Sequence, residues 1–214
     1  GKTTIAVHLA SMLSRLNLRT LLIDGDHQNQ CEMFFQPISY KYTIKNVIEG
    51  YNIKDCIYQV QTGDSLLDII FSDYDLALVS SKFKDDDLLS NVVKPIQKDY
   101  DFIIIDTSPN FDIININVAR ASTHIIIPII PQPLHIKGMQ HNIKALKTVA
   151  NISMDRIIGI IPSIVKPDKS QQKAYIELLK EENGNLLYDT IIPEDTYIPK
   201  VNDVRTTIFD LREK

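Results

Sequence analysis

Cysteine is scarce in this chain: Cys31 and Cys56 are the only two, and they form no C-x-x-C pair. His27 lies near Cys31, yet no two further ligands stand at zinc-site spacing. The pair reads as two buried or half-exposed thiols of a reducing cytosol. Tryptophan is absent and aromatics make up 7% of residues, so the core has to be aliphatic. No apolar run approaches the roughly 20 residues that span a bilayer, and no stretch has a signal-peptide pattern. Positive charge is not in excess either. The formal net charge is −4, which excludes a global basic field but leaves room for a local patch.

What is present is 214 residues, 44% of them hydrophobic, enough for one sizeable core. The expectation is a single domain over 1–214. Ile5, Leu9, Met12, Leu13 and Leu16 recur at helical spacing, so Thr3 to Leu16 reads as an amphipathic helix. RTLLID (19–24) is a short apolar run of the kind found in buried parallel strands. DFIIID (101–106), HIIIPII (124–130), DRIIGIIP (155–162) and LLYDTII (186–192) repeat that texture. Helical patterns lie over Ile136–Val149, Lys169–Glu182 and Val201–Leu211. Within 32–95, TIKNVIEG (43–50) reads as a short helix, SLLDIIFS (65–72) as containing a strand, and DDDLLSNVVKPI (85–96) as a helix ended near its proline. The alternation predicts an α/β fold with a doubly wound, mostly parallel sheet flanked by helices.

Three of the apolar strands run into chemically distinct tips: RTLLID into Asp24-Gly25-Asp26, DFIIID into Asp106-Thr107-Ser108-Pro109, and HIIIPII into Pro131-Gln132-Pro133. In open α/β sheets ligands bind beyond the carboxyl ends of the strands. The chain opens on Gly1-Lys2-Thr3-Thr4, the tail of the phosphate-binding pattern G-x-x-x-x-G-K-[ST]. The first strand and first half of that loop are expected upstream of Gly1. Gly1 lets backbone approach a phosphate, and the amides after it sit at a helix N-terminus that favours an anion. Lys2 is placed for the β- and γ-phosphates, Thr3 for Mg²⁺ and Thr4 for the α-phosphate. DFIIID ends in Asp106, the Walker B pattern that holds Mg²⁺. LLIDGD ends in Asp24 and Asp26, carboxylates suited to a hard cation and to orienting water. Each has a plain structural alternative: a chance tetrapeptide, a helix cap, an Asx turn around Gly25. Their conjunction points to nucleotide hydrolysis.

These segments resemble the ParA/MinD group of deviant Walker-A ATPases, most closely the ParA-type partition ATPases. GKTTIAVHLASMLSRLNLRTLLIDGDHQNQ is similar to their loop, first helix and D-x-D-P-Q segment. DYDFIIIDTSPNFDIININVARASTHIIIPIIPQPLHIKGM is similar to the stretch from their Walker B aspartate onward, and SDYDLAL (72–78) to their S-x-x-D-L-A element. The likeness runs to about residue 140 and thins beyond 150. It implies a P-loop fold and binding of ATP with Mg²⁺. It makes Lys2 the loop lysine, Thr3 a Mg²⁺ ligand, Asp106 the Walker B acid, Asp26 the residue that positions water, and Asp24 its partner near the metal. The family's signature lysine matches no residue of this chain. Departures are His27 for proline, Asn29-Gln30 for G-N, and Ser108 for the first proline of D-T-P-P. A lost proline frees φ and adds an N–H, so altered loop geometry is expected, with activity retained. His27 beside Asp26 reads as a solvated loop residue or a source of pH sensitivity.

The resemblance also implies slow ATP hydrolysis, a homodimer closed around two ATP molecules, non-specific DNA binding, a centromere-binding ParB-type adaptor, no membrane, and a cytoplasmic, nucleoid-associated protein. Lys166, Lys169, Lys173, Lys200 and Arg205 are the candidate DNA contacts, against the plain reading of solvated surface. A MinD-like membrane-associated ATPase would want a basic amphipathic C-terminal helix, which VNDVRTTIFDLREK, short and mixed in charge, does not supply. An iron–sulfur relative would need cysteines after Asp106, and none follows. A non-catalytic scaffold of the same fold would not need Lys2, Thr3, Asp24, Asp26 and Asp106 intact.

Overall fold

The computed structural model describes residues 1–79, 85–166 and 168–212. The chain divides into two compact units, Lys2–Ala121 with Thr196–Lys214, and Ser122–Asp195 with Gly1.

The larger unit is built on a four-stranded sheet. Helix α1 (Lys2–Arg15) precedes strand β1 (Thr20–Gly25), followed by α2 (Ile44–Ile48), β2 (Tyr58–Thr62), β3 (Ser65–Ile70), α3 (Leu76–Val79), α4 (Leu88–Val93), β4 (Phe102–Thr107) and α5 (Ile113–Ala121). The spatial order is β2-β3-β1-β4. β1 pairs parallel with both neighbours, and β2 joins β3 as an antiparallel hairpin. Strand residues alternate between faces. Leu21, Ile23, Ile70 and Ile105 pack with residues of α2, α4 and α5, whereas Leu22, Leu67, Ile69 and Ile104 pack with residues of α1. The central strand is therefore apolar on both sides, as its unbroken texture requires, with helices on both faces.

Helix α1 buries a different stripe from the one its large apolar residues suggested. Ala6, Val7, Ala10, Ser11 and Ser14 face inward, while Leu16 is 62% exposed and Leu9 and Met12 are over a third exposed. Small residues let the helix axis approach the sheet closely, so the helix is registered by its smallest side chains.

The unit is completed by α8 (Tyr197–Val204) and α9 (Ile208–Arg212). A single helix was expected there. It is broken because Arg205 adopts the left-handed conformation at φ 50°. Residues 213 and 214 of VNDVRTTIFDLREK lie outside the described residues. α9 is tied to α1: the Ile208 N–H donates to His8 Nε2 at 3.1 Å, and Arg15 pairs with Asp210 at 2.7 Å.

The smaller unit has a parallel sheet in the order β5-β6-β7, from β5 (Ile125–Ile129), β6 (Ile157–Val165) and β7 (Ile192–Pro193), with α6 (Pro133–Thr148) and α7 (Ser170–Asn183). LLYDTII does not form the continuous strand expected of it. Leu187 makes a single bridge to Ile160, and ladder pairing resumes only at Ile192. Between them Tyr188 lays its ring on Gly159, where a Cβ would sit 2.4 Å from the ring, and Asp189 pairs with Lys180 at 2.7 Å.

The small-residue face of α1 gives a direct test. Ala10→Leu is expected to destabilise by about 1–3 kcal/mol through overpacking, and Leu16→Ala by less than about 0.5 kcal/mol. Chemical denaturation of both variants measures the difference.

Candidate functional site

β1 and β4 run parallel and in register, so their carboxyl ends arrive side by side. Asp24 opposes Asp106, and Gly25 opposes Thr107. Position 25 has to be glycine in this arrangement. A Cβ there would stand 2.6 Å from the Asp106 carbonyl oxygen, and a backbone atom cannot swing away.

Both carboxylates are buried, Asp24 completely. Asp24 Oδ1 accepts the Asp26 N–H at 3.0 Å, and Oδ2 accepts the Cys31 N–H at 3.1 Å. Burial pushes the Asp24 pKa up to about 7, repulsion from Asp106 adds to this, and the two amides oppose it. Burial also raises Asp106, against the Thr3 hydroxyl and the Thr107 amide, with Asp26 raising it further and Lys2 lowering it. Lys2 stands on the first residue of α1. Burial lowers its ammonium pKa, while Asp106 and Asp26 hold it up. Lys2, Thr3, Asp24, Asp26 and Asp106 thus share one local field at the tips of β1 and β4 and the start of α1. Thr3 is buried; Thr4 is half-buried, and its carbonyl accepts from His8 Nδ1 at 2.7 Å. Gly1 is exposed and grouped with the smaller unit. A Cβ on it would meet Ile164 at 3.7 Å and Ser163 at 3.8 Å, ordinary contacts, so only approach to a ligand would require glycine.

Sequence reasoning missed Cys31 as a neighbour of this site. Its thiol donates weakly to Asp106 Oδ2 at 3.9 Å, and ligand atoms of Asp24, Cys31 and Asp106 lie within 4.8 Å of one another. Burial and the three nearby aspartates push the thiol pKa well above its ordinary value, so it is not a thiolate nucleophile. No spacing rule marks a lone cysteine seven residues after a strand-end aspartate; only the turn of the chain brings it back.

The donor set fits a divalent cation. Burial first, and repulsion between the two carboxylates second, raise Asp24 to about 7, and a cation between them would offset both costs of their charge. Oxygen donors from Asp24, Asp106 and Thr3 suit a hard ion such as Mg²⁺, whereas the Cys31 sulfur is soft.

The loop after β1 replaces its expected proline and glycine with side-chain bonds. Asp26 is 4% exposed, and its Oδ1 accepts the Gln28 N–H at 3.0 Å with His27 Nδ1 3.5 Å away. Asn29 takes the left-handed position at φ 49° that a glycine would otherwise fill. After β4, Ser108 sits where a proline was expected, and Asn115 Nδ2 donates to its Oγ at 3.0 Å and to the Asn110 carbonyl.

The five basic candidates divide between the two units. Lys166 pairs with Glu194 at 3.0 Å, and Arg205 lies 3.9 Å from Glu32. Lys169 caps α7, with Lys173 exposed on its first turn. Lys200 is exposed and lies 4.7 Å from the Tyr197 ring centroid. Among the described residues, Lys169, Lys173 and Lys200 have no ion-pair partner. Lys166, Lys169 and Lys173 belong to the smaller unit, Lys200 and Arg205 to the larger.

A site of two acidic strand tips facing a lysine at a helix start defines a P-loop nucleotide-binding class. The AAA_31 family model, described as an AAA domain, matches residues 1–158. The chain belongs to this family, within the ParA/MinD type of P-loop ATPases. The sporulation initiation inhibitor protein Soj of Bacillus subtilis is 24% identical over 91% of this chain and 80% of its own length. Apo McdA from Cyanothece superposes with a TM-score of 0.85 at 22% identity, over 99% of this chain and 88% of that one. A plasmid partition protein from Borrelia burgdorferi bound to AMPPNP gives a TM-score of 0.82 at 25% identity, over 96% and 85%.

The raised Asp24 pKa makes a signed prediction. An ordinary aspartate titrates near 3.8 when unfolded, so between about pH 4 and 7 the folded protein holds the extra proton. Stability of the ligand-free protein therefore falls as pH rises through that window. Between pH 5 and 8 the wild type is expected to lose about 5–10 °C more in Tm than Asp24→Asn, read by calorimetry. Comparing slopes removes the fixed cost of the altered hydrogen bond.

Proposed function

We propose that this protein is a slow, Mg²⁺-dependent ATP hydrolase of the partition type. Two copies join around ATP, the dimer holds DNA without sequence preference, and an adaptor that binds a centromere-like site stimulates turnover. The observation that carries the reading is the shared field of Lys2, Asp26 and Asp106 at the strand tips. The relative bound to AMPPNP and named as a plasmid partition protein supports ATP as the nucleotide and DNA as the cargo.

Each residue has a definite task. The Lys2 ammonium, half-buried with Asp106 and Asp26 opposing the cost of its burial, pairs with the β- and γ-phosphates. Amides at the start of α1 receive phosphate oxygens, with Thr4 at the α-phosphate. Thr3, Asp24 and Asp106 would hold Mg²⁺, which supplies charge neutralisation on the phosphates. Asp26, anchored by the Gln28 amide, orients the attacking water. Removal of the γ-phosphate ends the contacts that join two copies, which makes hydrolysis a timer for release. Lys169, Lys173 and Lys200 are the stronger candidates for DNA phosphates because no carboxylate among the described residues neutralises them; Lys166 and Arg205 contribute through partly compensated charge. A dimer doubles such a patch. Among the described residues no helix is long and apolar enough to cross a membrane. A cytoplasmic, nucleoid-associated protein is the corresponding location.

ATP turnover in the full chain tests the catalytic half. Lys2→Ala is expected to abolish turnover and weaken ATP binding. Asp26→Ala is expected to lower kcat on the order of 10²-fold or more while ATP still binds. A wild type that binds ATP without turnover would favour a scaffold of the same fold.

Gel shifts on non-specific duplex DNA test the other half. Binding is expected to need ATP and to fall steeply with salt. Lys169→Glu with Lys173→Glu should reduce the salt slope by about one for each DNA phosphate that is no longer neutralised. Sedimentation with anionic liposomes, together with no DNA shift, would point to membrane positioning.

A further inference from the structure

Asn29 is bonded through every part of its side chain. Its Oδ1 accepts the Ser72 N–H at 3.2 Å, beyond the carboxyl end of β3. Its Nδ2 donates both protons, to Glu32 Oε2 at 2.7 Å and to the Tyr40 hydroxyl oxygen at 2.9 Å. The Tyr40 O–H in turn donates to Glu32 Oε2 at 2.9 Å. Tyr40 is immobilised by stacking on Phe71, centroids 4.4 Å apart and planes 16° off parallel. Burial and Glu32 push its phenol up to about 12, so it stays a donor. The Asn29 backbone N–H closes the turn onto the Asp26 carbonyl at 2.9 Å. Only asparagine combines tolerance of the left-handed region with one acceptor and two donors on a short side chain.

We infer that Asn29 is a positioning residue for the hydrolytic step, pinning the loop that carries Asp26 to the end of β3 so that Asp26 meets the attacking water in line. This rests on the proposed ATP hydrolysis. Asn29 acts through Asp26, three residues away, whose carbonyl its backbone N–H bonds. Rigidity is the point of the arrangement: a displacement of about 1 Å in a reacting group can cost on the order of 10²-fold in rate. Glu32 extends the brace to Arg205, and Gln36 Nε2 donates to the Val204 and Arg205 carbonyls at 3.0 and 2.9 Å, so the end of α8 backs the same loop.

The test is steady-state ATP turnover of the full chain with separate measurement of ATP affinity. Asn29→Gly keeps the left-handed backbone and loses the tethers. It is expected to lower kcat about tenfold to a hundredfold, with the ATP Kd within about threefold of wild type. Asn29→Asp sets a carboxylate against Glu32 and should do worse. Adding Glu32→Gln to Asn29→Asp turns that repulsion into a donor–acceptor pair and should recover most of the loss. A merely structural role would lower Tm without separating kcat from Kd, and the charge-relieving partner would not restore kcat. Unchanged kcat in Asn29→Gly, or no recovery in a folded double variant, overturns the inference. A wild type without turnover overturns the hydrolytic reading instead.

Discussion

Two acidic strand tips held side by side out of water dominate this protein. The register of β1 against β4 leaves Asp24 and Asp106 no way to avoid each other. Gly25 lets the two backbones close to that distance, and amides of Asp26 and Cys31 fold back to bond Asp24. Lys2, from the opposite direction along α1, is partly desolvated by the same enclosure. The fold carries an electrostatic cost at one point, and the chemistry proposed for it is there. A divalent cation between the two carboxylates would relieve that cost, and a bound anion would find its counter-charge in Lys2.

Around that centre, irregular backbone is held by side-chain amides. Where a proline would restrict the loop after β1 and a glycine would take its left-handed turn, Asn29 adopts that turn and anchors it to Ser72. Asn115 does comparable service for the loop after β4, through Ser108 and Asn110. The C-terminal segment reinforces the same region, with α9 tied to His8 and Arg15 of α1 and the end of α8 tied to Gln36. Burial lowers the His8 pKa, and its neutral ring donates from Nδ1 to Thr4 and accepts at Nε2 from Ile208. One uncharged side chain therefore joins the start of α1 to α9.

The legible features were those written in local periodicity. β1, β3, β4 and β5 stand within a residue or two of their apolar runs, and the aspartates ending β1 and β4 could be named from the sequence because a buried run ending in a carboxylate is conspicuous. β2 escaped because YQVQT is a polar, half-exposed edge strand that exists only through its hairpin with β3. The inward face of α1 was misplaced because large apolar residues draw attention, while sheet contact is made by alanine and serine. Cys31 and Glu32 gave no signal because their roles depend on partners as far away as Asp106 and Arg205.

By itself, then, the amino-acid order determined which segments would be buried strands, where each would end in charge, and that a lysine–threonine pair would open the first helix. Burial follows from composition, and alternation follows from backbone geometry. Only the tertiary structure decided that Asp24 and Asp106 would share a pKa problem, that Cys31 would sit against them, and that Asn29 would brace the loop between. Those are distances between residues remote in the chain, set by strand register and helix packing, and no local pattern encodes them.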